Sequence, residues 1–150
     1  MNFRAAPNRW TIAEVAEHII VSEGTILGLV RDRMLKMPAP PAGKDDYRVK
    51  DVGVRLAITN RTQKFQAPEI LKPNSRFKTR EELLTNFGKA RNEVIDFVKT
   101  TKEDLRGRFV ENPMMGVIDA HQWILFLAGH SDRHLAQLKE VKTDAAYPKK

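Results

Sequence analysis

The 150 residues are 41% hydrophobic and 30% charged with a formal net charge of +7, which predicts one globular domain over residues 1–150 and excludes a disordered or collagen-like chain. No apolar run is long enough to cross a bilayer, and "MNFRAAPNRW" lacks the apolar core of a signal peptide, so a cytoplasmic protein with no membrane partner is expected. There is no cysteine, which removes disulfides and protein thiolate ligands. The positive excess, densest in "EILKPNSRFKTR" and "YPKK", comes without zinc-finger, RRM-type or phosphate-loop motifs; it reads as solvated surface, and nucleic acid is the less favoured partner.

The first helix is predicted from "WTIAEVAEHIIVSEGTILGLV". Thr11 and Glu14 form a capping box, with Trp10 and Val15 placed as a hydrophobic staple. His18 shares a side with Val15, Ser22, Ile26 and Leu29, while Glu17, Glu23 and Arg31 fall away from it. A long connection follows, from about residue 36 to 78. Its "MPAPPAGKDD" is a loop by its prolines and glycine. "YRVKDVGVRLAITNR" tolerates a strand or a helix, and the helical piece is favoured. "QAPEILKPNSRFK" is a proline-punctuated loop, and a long loop in a small bundle is often functional or a lid.

A second long helix opens at the capping box Thr79/Glu82, with Leu83, Leu84, Phe87, Val94, Ile95 and Val98 at helical spacing, and ends near Thr100. "KEDLRGR" then adds a turn or a short helical piece. The last helix starts at a variant box, Asp119/Gln122, with Ile118 and Trp123 as its staple. Trp123, Phe126, Leu127, His130, His134, Leu138 and Val141 share one side; Ser131, Asp132, Lys139 and Glu140 point elsewhere. Lys139 and Lys142 lie near its negative dipole end. Long helices without a convincing sheet predict an all-α up-down bundle.

Residues four apart lie on one helical face, so His130 and His134 can reach one ion, each through a neutral imidazole nitrogen. His18, on the core face of its own helix, is a third candidate. Three histidines on two neighbouring helices with the remaining positions open is the layout of a catalytic metal site; Zn²⁺ is the default, and Ni²⁺ or Fe²⁺ also suit imidazole. The competing reading is that inward histidines are merely hydrogen-bonded. Ser131 stands where the zinc-protease motif has glutamate, so a metalloprotease is not expected. His121, in the first turn of its helix, reads as surface. Around the site, Glu14 lies one turn before His18 and Gln137 near the His134 face, both able to orient a ligand, and Trp123 is placed to wall a pocket.

"PNRWTIAEVAEHIIVSE", followed by "NPMMGVIDAHQWILFLAGHSDRHLAQLKEV", resembles the DinB/YfiT-like superfamily, down to the Pro-x-x-Gly turn, the "QW" segment and "HxxRHxxQ" with its Arg133 and Gln137. The resemblance implies a four-helix bundle with a divalent metal on His18, His130 and His134. It further implies a metal-dependent thiol S-transferase using an external low-molecular-weight thiol such as bacillithiol, mycothiol or glutathione. A hydrolase and a non-enzymatic metal-binding bundle are the alternatives. Two departures stand out. Asn112-Pro113 replaces the His-Pro of many members, and the Trp-Ser/Thr motif begins only ten residues in, so the usual first helix is expected to be missing. A three-helix remnant would expose apolar surface, which a partner chain, as in a homodimer, would cover. The expected ligands are a small-molecule substrate and a thiol whose carboxylates meet Lys72, Arg76 and Lys78.

Overall fold

The computed structural model describes residues 1–38 and 47–148; most of the 37–46 loop and the last two residues of the basic tail lie outside the described residues. Four α-helices and one hairpin follow in order: α1 Ile12–Gly28, α2 Asp51–Thr59, α3 Arg80–Thr100, strands β1 Phe109–Asn112 and β2 Gly116–Asp119, and α4 Ala120–Thr143. A π-helical turn at Leu29–Arg33 and a 3-10 turn at Met34–Lys36 prolong α1, and a 3-10 turn at Tyr47–Lys50 leads into α2. No helix among the described residues is long and apolar enough to cross a membrane.

Each long helix begins at its capping box. Thr11 Oγ1 accepts from Glu14 N at 3.2 Å while Glu14 Oε2 accepts from Thr11 N at 2.7 Å. Thr79 and Glu82 repeat the exchange at 3.1 and 3.2 Å, as do Asp119 and Gln122 at 2.7 and 3.1 Å. Two otherwise orphaned amides are satisfied each time, which sets where the helix starts.

The helical piece in the long connection is α2, and it brings the helix count to four. The first helix of the bundle is α1, which carries His18; no helix precedes it among the described residues. α1 packs against α3 and α4, and α4 packs in turn against α2. Ile26, Leu27, Val30, Met34, Val54, Ile58, Ile118, Trp123 and Leu127 form the shared core, each large aliphatic contributing about 1.5–3 kcal/mol by leaving water. α2 is anchored through Val54 and Ile58, while its outer residues Val52 and Leu56, and Val49 in the turn before it, stay exposed. On α3, Leu83 and Val94 are buried, whereas Leu84, Ile95 and Val98 of the same apolar series are exposed.

Three sequence readings are corrected. Glu17, Glu23 and Ser131, placed off the apolar faces, are buried, at 3, 2 and 4% exposure. The reason is that α1 is covered on several sides. Glu17 pairs with Arg76 at 2.8 Å and accepts from Asn74 N, and Glu23 is held by Arg91 and by Ser131 Oγ at 3.0 Å. Of the turn and the short helical piece expected at "KEDLRGR", only the helical one fails: the Asp104 carboxylate captures Arg106 N at 2.8 Å and turns the chain. An antiparallel hairpin, not anticipated, follows it. Its register runs from Phe109↔Asp119 to Asn112↔Gly116. Asn112 Oδ1 accepts from Met114 N and Met115 N, and Gly116 takes the positive φ of 67° that closes the turn.

The α2–α4 crossing depends on Gly129. A Cβ there would overlap Ile58 Cγ2, which is itself buried. Gly129→Ala is therefore expected to destabilise the fold by about 1–3 kcal/mol through overpacking, despite alanine's better helix propensity. Urea denaturation of the variant beside the wild type measures this; an equal or higher midpoint would show that α2 is not clamped at this point.

Candidate metal centre

α1 and α4 lie side by side, which brings His18 together with His130 and His134. One ring nitrogen from each lies within 4.8 Å of the others. His130 Nε2 stands 3.2 Å from His18 Nε2 and 3.1 Å from His134 Nε2. The His18 and His134 nitrogens have their tautomers assigned by their far sides. His18 Nδ1 faces the Leu71 carbonyl at 2.8 Å, and a carbonyl only accepts, so Nδ1 carries the proton and Nε2 a lone pair. His134 Nδ1 likewise donates to Gln137 Oε1 at 2.9 Å. Whichever tautomer His130 takes, its Nε2 can point a proton at one neighbour only. At least one pair of nitrogens then meets lone pair to lone pair.

That arrangement is unfavourable alone and resolved by a cation. Three nitrogens at about 2.0–2.1 Å from one ion stand about 3.0–3.4 Å apart, which matches the two short separations. The electrostatics agree. Burial pushes the His134 pKa down to about 4, with help from the His18 and Arg133 charges. Burial, then His134 and His18, pushes His130 down to about 2. Burial lowers His18 as well, partly opposed by the Leu71 carbonyl. All three are neutral at physiological pH, the form that ligates. The donor set fits a divalent ion of the borderline class, Zn²⁺, Ni²⁺ or Fe²⁺.

Aromatic rings wall the group. Trp10 lies 4.9 Å from the His18 ring and stacks on His134 at 6.5 Å; Phe126 stacks on His130 at 6.1 Å. Trp123 is buried one ring further out, 5.7 Å from Phe126. Glu14 is turned toward the N-terminal segment, where it caps α1 and pairs with Arg4 at 2.7 Å. His121 sits at the far end of α4, 4.0 Å from Asp51. Of the basic loop residues, Arg76 is committed to Glu17 and to the carbonyls of Lys72 and Ile70, and Lys72 pairs with the exposed Glu69. Two contributors escaped sequence reasoning, the Leu71 carbonyl and Trp10 as a wall; Arg133 stands in the sequence motif, but its role does not show there. Arg133 binds the carbonyls of Ile58, Asn60 and Gln63 and covers the Phe65 ring at 5.7 Å. A backbone carbonyl leaves no mark in a side-chain pattern; Trp10, directly before the N-cap, could have been flagged by its position.

The three histidines open into a cleft of about 1030 Å³ bounded by the residue 61–72 loop. A model of the DinB superfamily matches residues 1–138. The chain belongs to the DinB superfamily. It is 24% identical over 142 residues to the uncharacterized protein YuaE of Bacillus subtilis (strain 168), a match covering 95% of this chain and 83% of that one. No solved structure matches. Burial of the three imidazoles at the junction of α1 and α4 penalises their charged forms.

That penalty makes stability depend on pH. An unfolded imidazole protonates near 6.5, whereas His134 and His130 resist to about 4 and about 2 in the fold. Between these values the unfolded chain binds more protons, so native stability is full above about pH 6.5 and is lost as pH falls, through both imidazoles together down to about 4 and through His130 alone below that. Metal-free protein is expected to show a lower urea midpoint at about pH 5 than at about pH 7.5. His130→Gln should flatten that slope; an unchanged slope would mean that these imidazoles are not held neutral.

Proposed function

We propose that this chain is a divalent-metal-dependent thiol S-transferase, in which His18, His130 and His134 hold the ion and an external low-molecular-weight thiol attacks a small electrophile. The observation that carries the reading is the convergence of three neutral Nε2 lone pairs at the head of a ligand-sized cleft, in a chain with no cysteine of its own. When bound, the metal supplies a Lewis acid that lowers the pKa of a coordinated thiol. The chain's residues do the rest. The Leu71 carbonyl and Gln137 Oε1 keep two imidazole protons off the metal side. Trp10 and Phe126 shield the imidazoles with apolar surface. The thiol proton leaves to solvent, a carbon–sulfur bond forms, and the electrophile's leaving group departs with its electron pair.

Thiol transfer is favoured over hydrolysis by the cleft's acid–base inventory. Among the described lining residues Glu140 is the only carboxylate, and Arg61 holds it at 2.6 Å. A carboxylate held by a guanidinium is a weakened general base for activating water, whereas a metal-bound thiol needs none.

Two measurements test this. Purified protein should carry about one divalent ion per chain, lost in a His130→Ala, His134→Ala variant. Conjugation of a small thiol to chlorodinitrobenzene, followed by absorbance, should fall at least about ten-fold after chelation or in the same variant. Ester turnover without added thiol would replace this reading with a hydrolase. Loss of fold on metal removal, with no reaction of either kind, would leave a non-enzymatic metal-binding bundle.

A further inference from the structure

Glu17 stands beside His18 on α1 and is 3% exposed, a burial that a carboxylate tolerates only when it is paired. Its Oε1 accepts twice, from Asn74 N at 2.8 Å and from Arg76 Nη1 at 2.8 Å. Both donors belong to one short stretch, 57 and 59 residues further along the chain. That stretch follows the 3-10 turn Glu69–Leu71, and the end of such a turn leaves carbonyls without amide partners inside it. Three successive carbonyls there are taken in alternation. Arg76 Nη2 donates to Ile70 O at 3.4 Å, His18 Nδ1 to Leu71 O at 2.8 Å, and Arg76 Nη1 to Lys72 O at 3.0 Å.

The Leu71 carbonyl therefore sits between two carbonyls held by one guanidinium. A guanidinium is planar and rigid, so fixing the peptides on both sides fixes the direction of the oxygen between them. Arg76 can fold back on these carbonyls because Ser75 reverses the chain at a φ of 63°, the only non-glycine residue at positive φ among the described residues. That conformation is unfavourable for a residue with a Cβ and persists only where the surroundings enforce it. The strain, the buried acid and the paired carbonyl contacts all serve one outcome, the placing of Leu71 O against the His18 ring.

We propose that Glu17 and Arg76 are positioning residues for the metal centre, acting on His18 through the Leu71 carbonyl, which they hold where it keeps the imidazole proton on Nδ1 and leaves the Nε2 lone pair for the ion. This role rests on the metal reading above. Neither residue touches the ion; each acts through a backbone oxygen. The influence also runs the other way. His18 Nδ1–H becomes a stronger donor when Nε2 is coordinated, so a loaded site holds Leu71 more tightly than an empty one. Metal affinity and the seating of residues 69–76 are thus linked, each strengthening the other by the same factor.

Arg76→Gln and Glu17→Gln test this in the full-length protein carrying nitrogen-labelled histidine. The Arg76 side chain is 32% exposed, so its replacement spares the core; Glu17→Gln keeps an acceptor for Asn74 N and removes the charge that draws Arg76. Long-range proton–nitrogen NMR of the metal-free protein reads which ring nitrogen of each histidine carries the proton. The wild type should show His18 and His134 both protonated on Nδ1. Arg76→Gln should move His18 to a mixture with the Nε2-protonated form, Glu17→Gln less so, while His134, held by Gln137, stays as it was. Zn²⁺ affinity, measured by competition with a chelating dye, should fall about ten-fold in Arg76→Gln. Zn²⁺ should also slow hydrogen exchange at residues 69–76 of the wild type, and do so less in that variant. An unchanged His18 spectrum in both variants overturns the positioning role and leaves the metal reading standing. A shift of His18 and His134 together overturns it too, because it marks a general loosening of the fold. A wild type that takes up no Zn²⁺ overturns the metal reading and this role with it.

Discussion

An imidazole nitrogen that accepts cannot also donate, and the whole site follows from that constraint. For two lone pairs to converge on the third, the protons of His18 and His134 must be held on their far nitrogens, each against a fixed acceptor. Gln137 provides one acceptor from the next turn of α4, at the helical spacing that places i and i+3 side by side. The Leu71 carbonyl provides the other from a loop more than fifty residues from His18. The 61–72 loop is thus part of the site's chemistry as well as its cover, and the device that seats it matters equally. Arg133, one residue before His134, grips the C-terminal end of α2 and the start of that loop through the carbonyls of Ile58, Asn60 and Gln63. One helix of α4 therefore carries two of the histidines, the group that orients one of them, and the clamp on the loop that orients the third.

The helix that supplies His18 is held by means that look wasteful until their energies are compared. Exposed pairs such as Arg31–Asp32 contribute little, because water screens both charges. Glu23, 2% exposed between Arg91 and Ser131, is in another regime. Burial raises its pKa in spite of the Arg91 charge, and removal of the arginine would leave an uncompensated buried carboxylate at a cost of about 3–5 kcal/mol. Such pairs are poor sources of net stability and effective sources of register, because only one rotation and one height of α1 satisfies them. Glu17 with Arg76 does the same one and a half turns earlier. The two buried acids bracket His18 along α1, so the imidazole that must meet its partners within a few tenths of an ångström is fixed from both sides.

What could be read from the sequence, and what could not, divides along a physical line. Local signals carried through: three capping boxes put the starts of α1, α3 and α4 at Thr11, Thr79 and Asp119, and the i,i+4 spacing put His130 and His134 on one face. His18 was reachable because an apolar stripe points where a histidine then also points. Periodicity misled where a helix is covered on more than one side. Glu17, Glu23 and Ser131 were placed away from the core because a two-sided pattern was assumed, whereas α1 lies between α3 and α4. The hairpin was missed because its strands are four residues each and its turn is made by a side chain, Asn112, rather than by a Gly-rich pair. Partners such as Arg91 for Glu23 and Arg106 for Asp51 at 2.8 Å are long-range, and a single sequence contains no term that pairs them.

A last tension concerns Arg133 itself. Its charge lowers the pKa of both His130 and His134 and, by the same field, opposes a dication at their nitrogens. A neutral side chain could make one or two of these contacts without that penalty, but only a guanidinium offers five donors in a rigid plane to the end of α2 and the start of the loop at once. The chain therefore accepts an electrostatic opposition to metal in return for a seated loop, and keeps the imidazoles deprotonated by the same means. The opposition weakens whenever negative charge enters the cleft. The three-histidine group thus stands in a positive field, and any dication it held would bind more tightly with negative charge beside it.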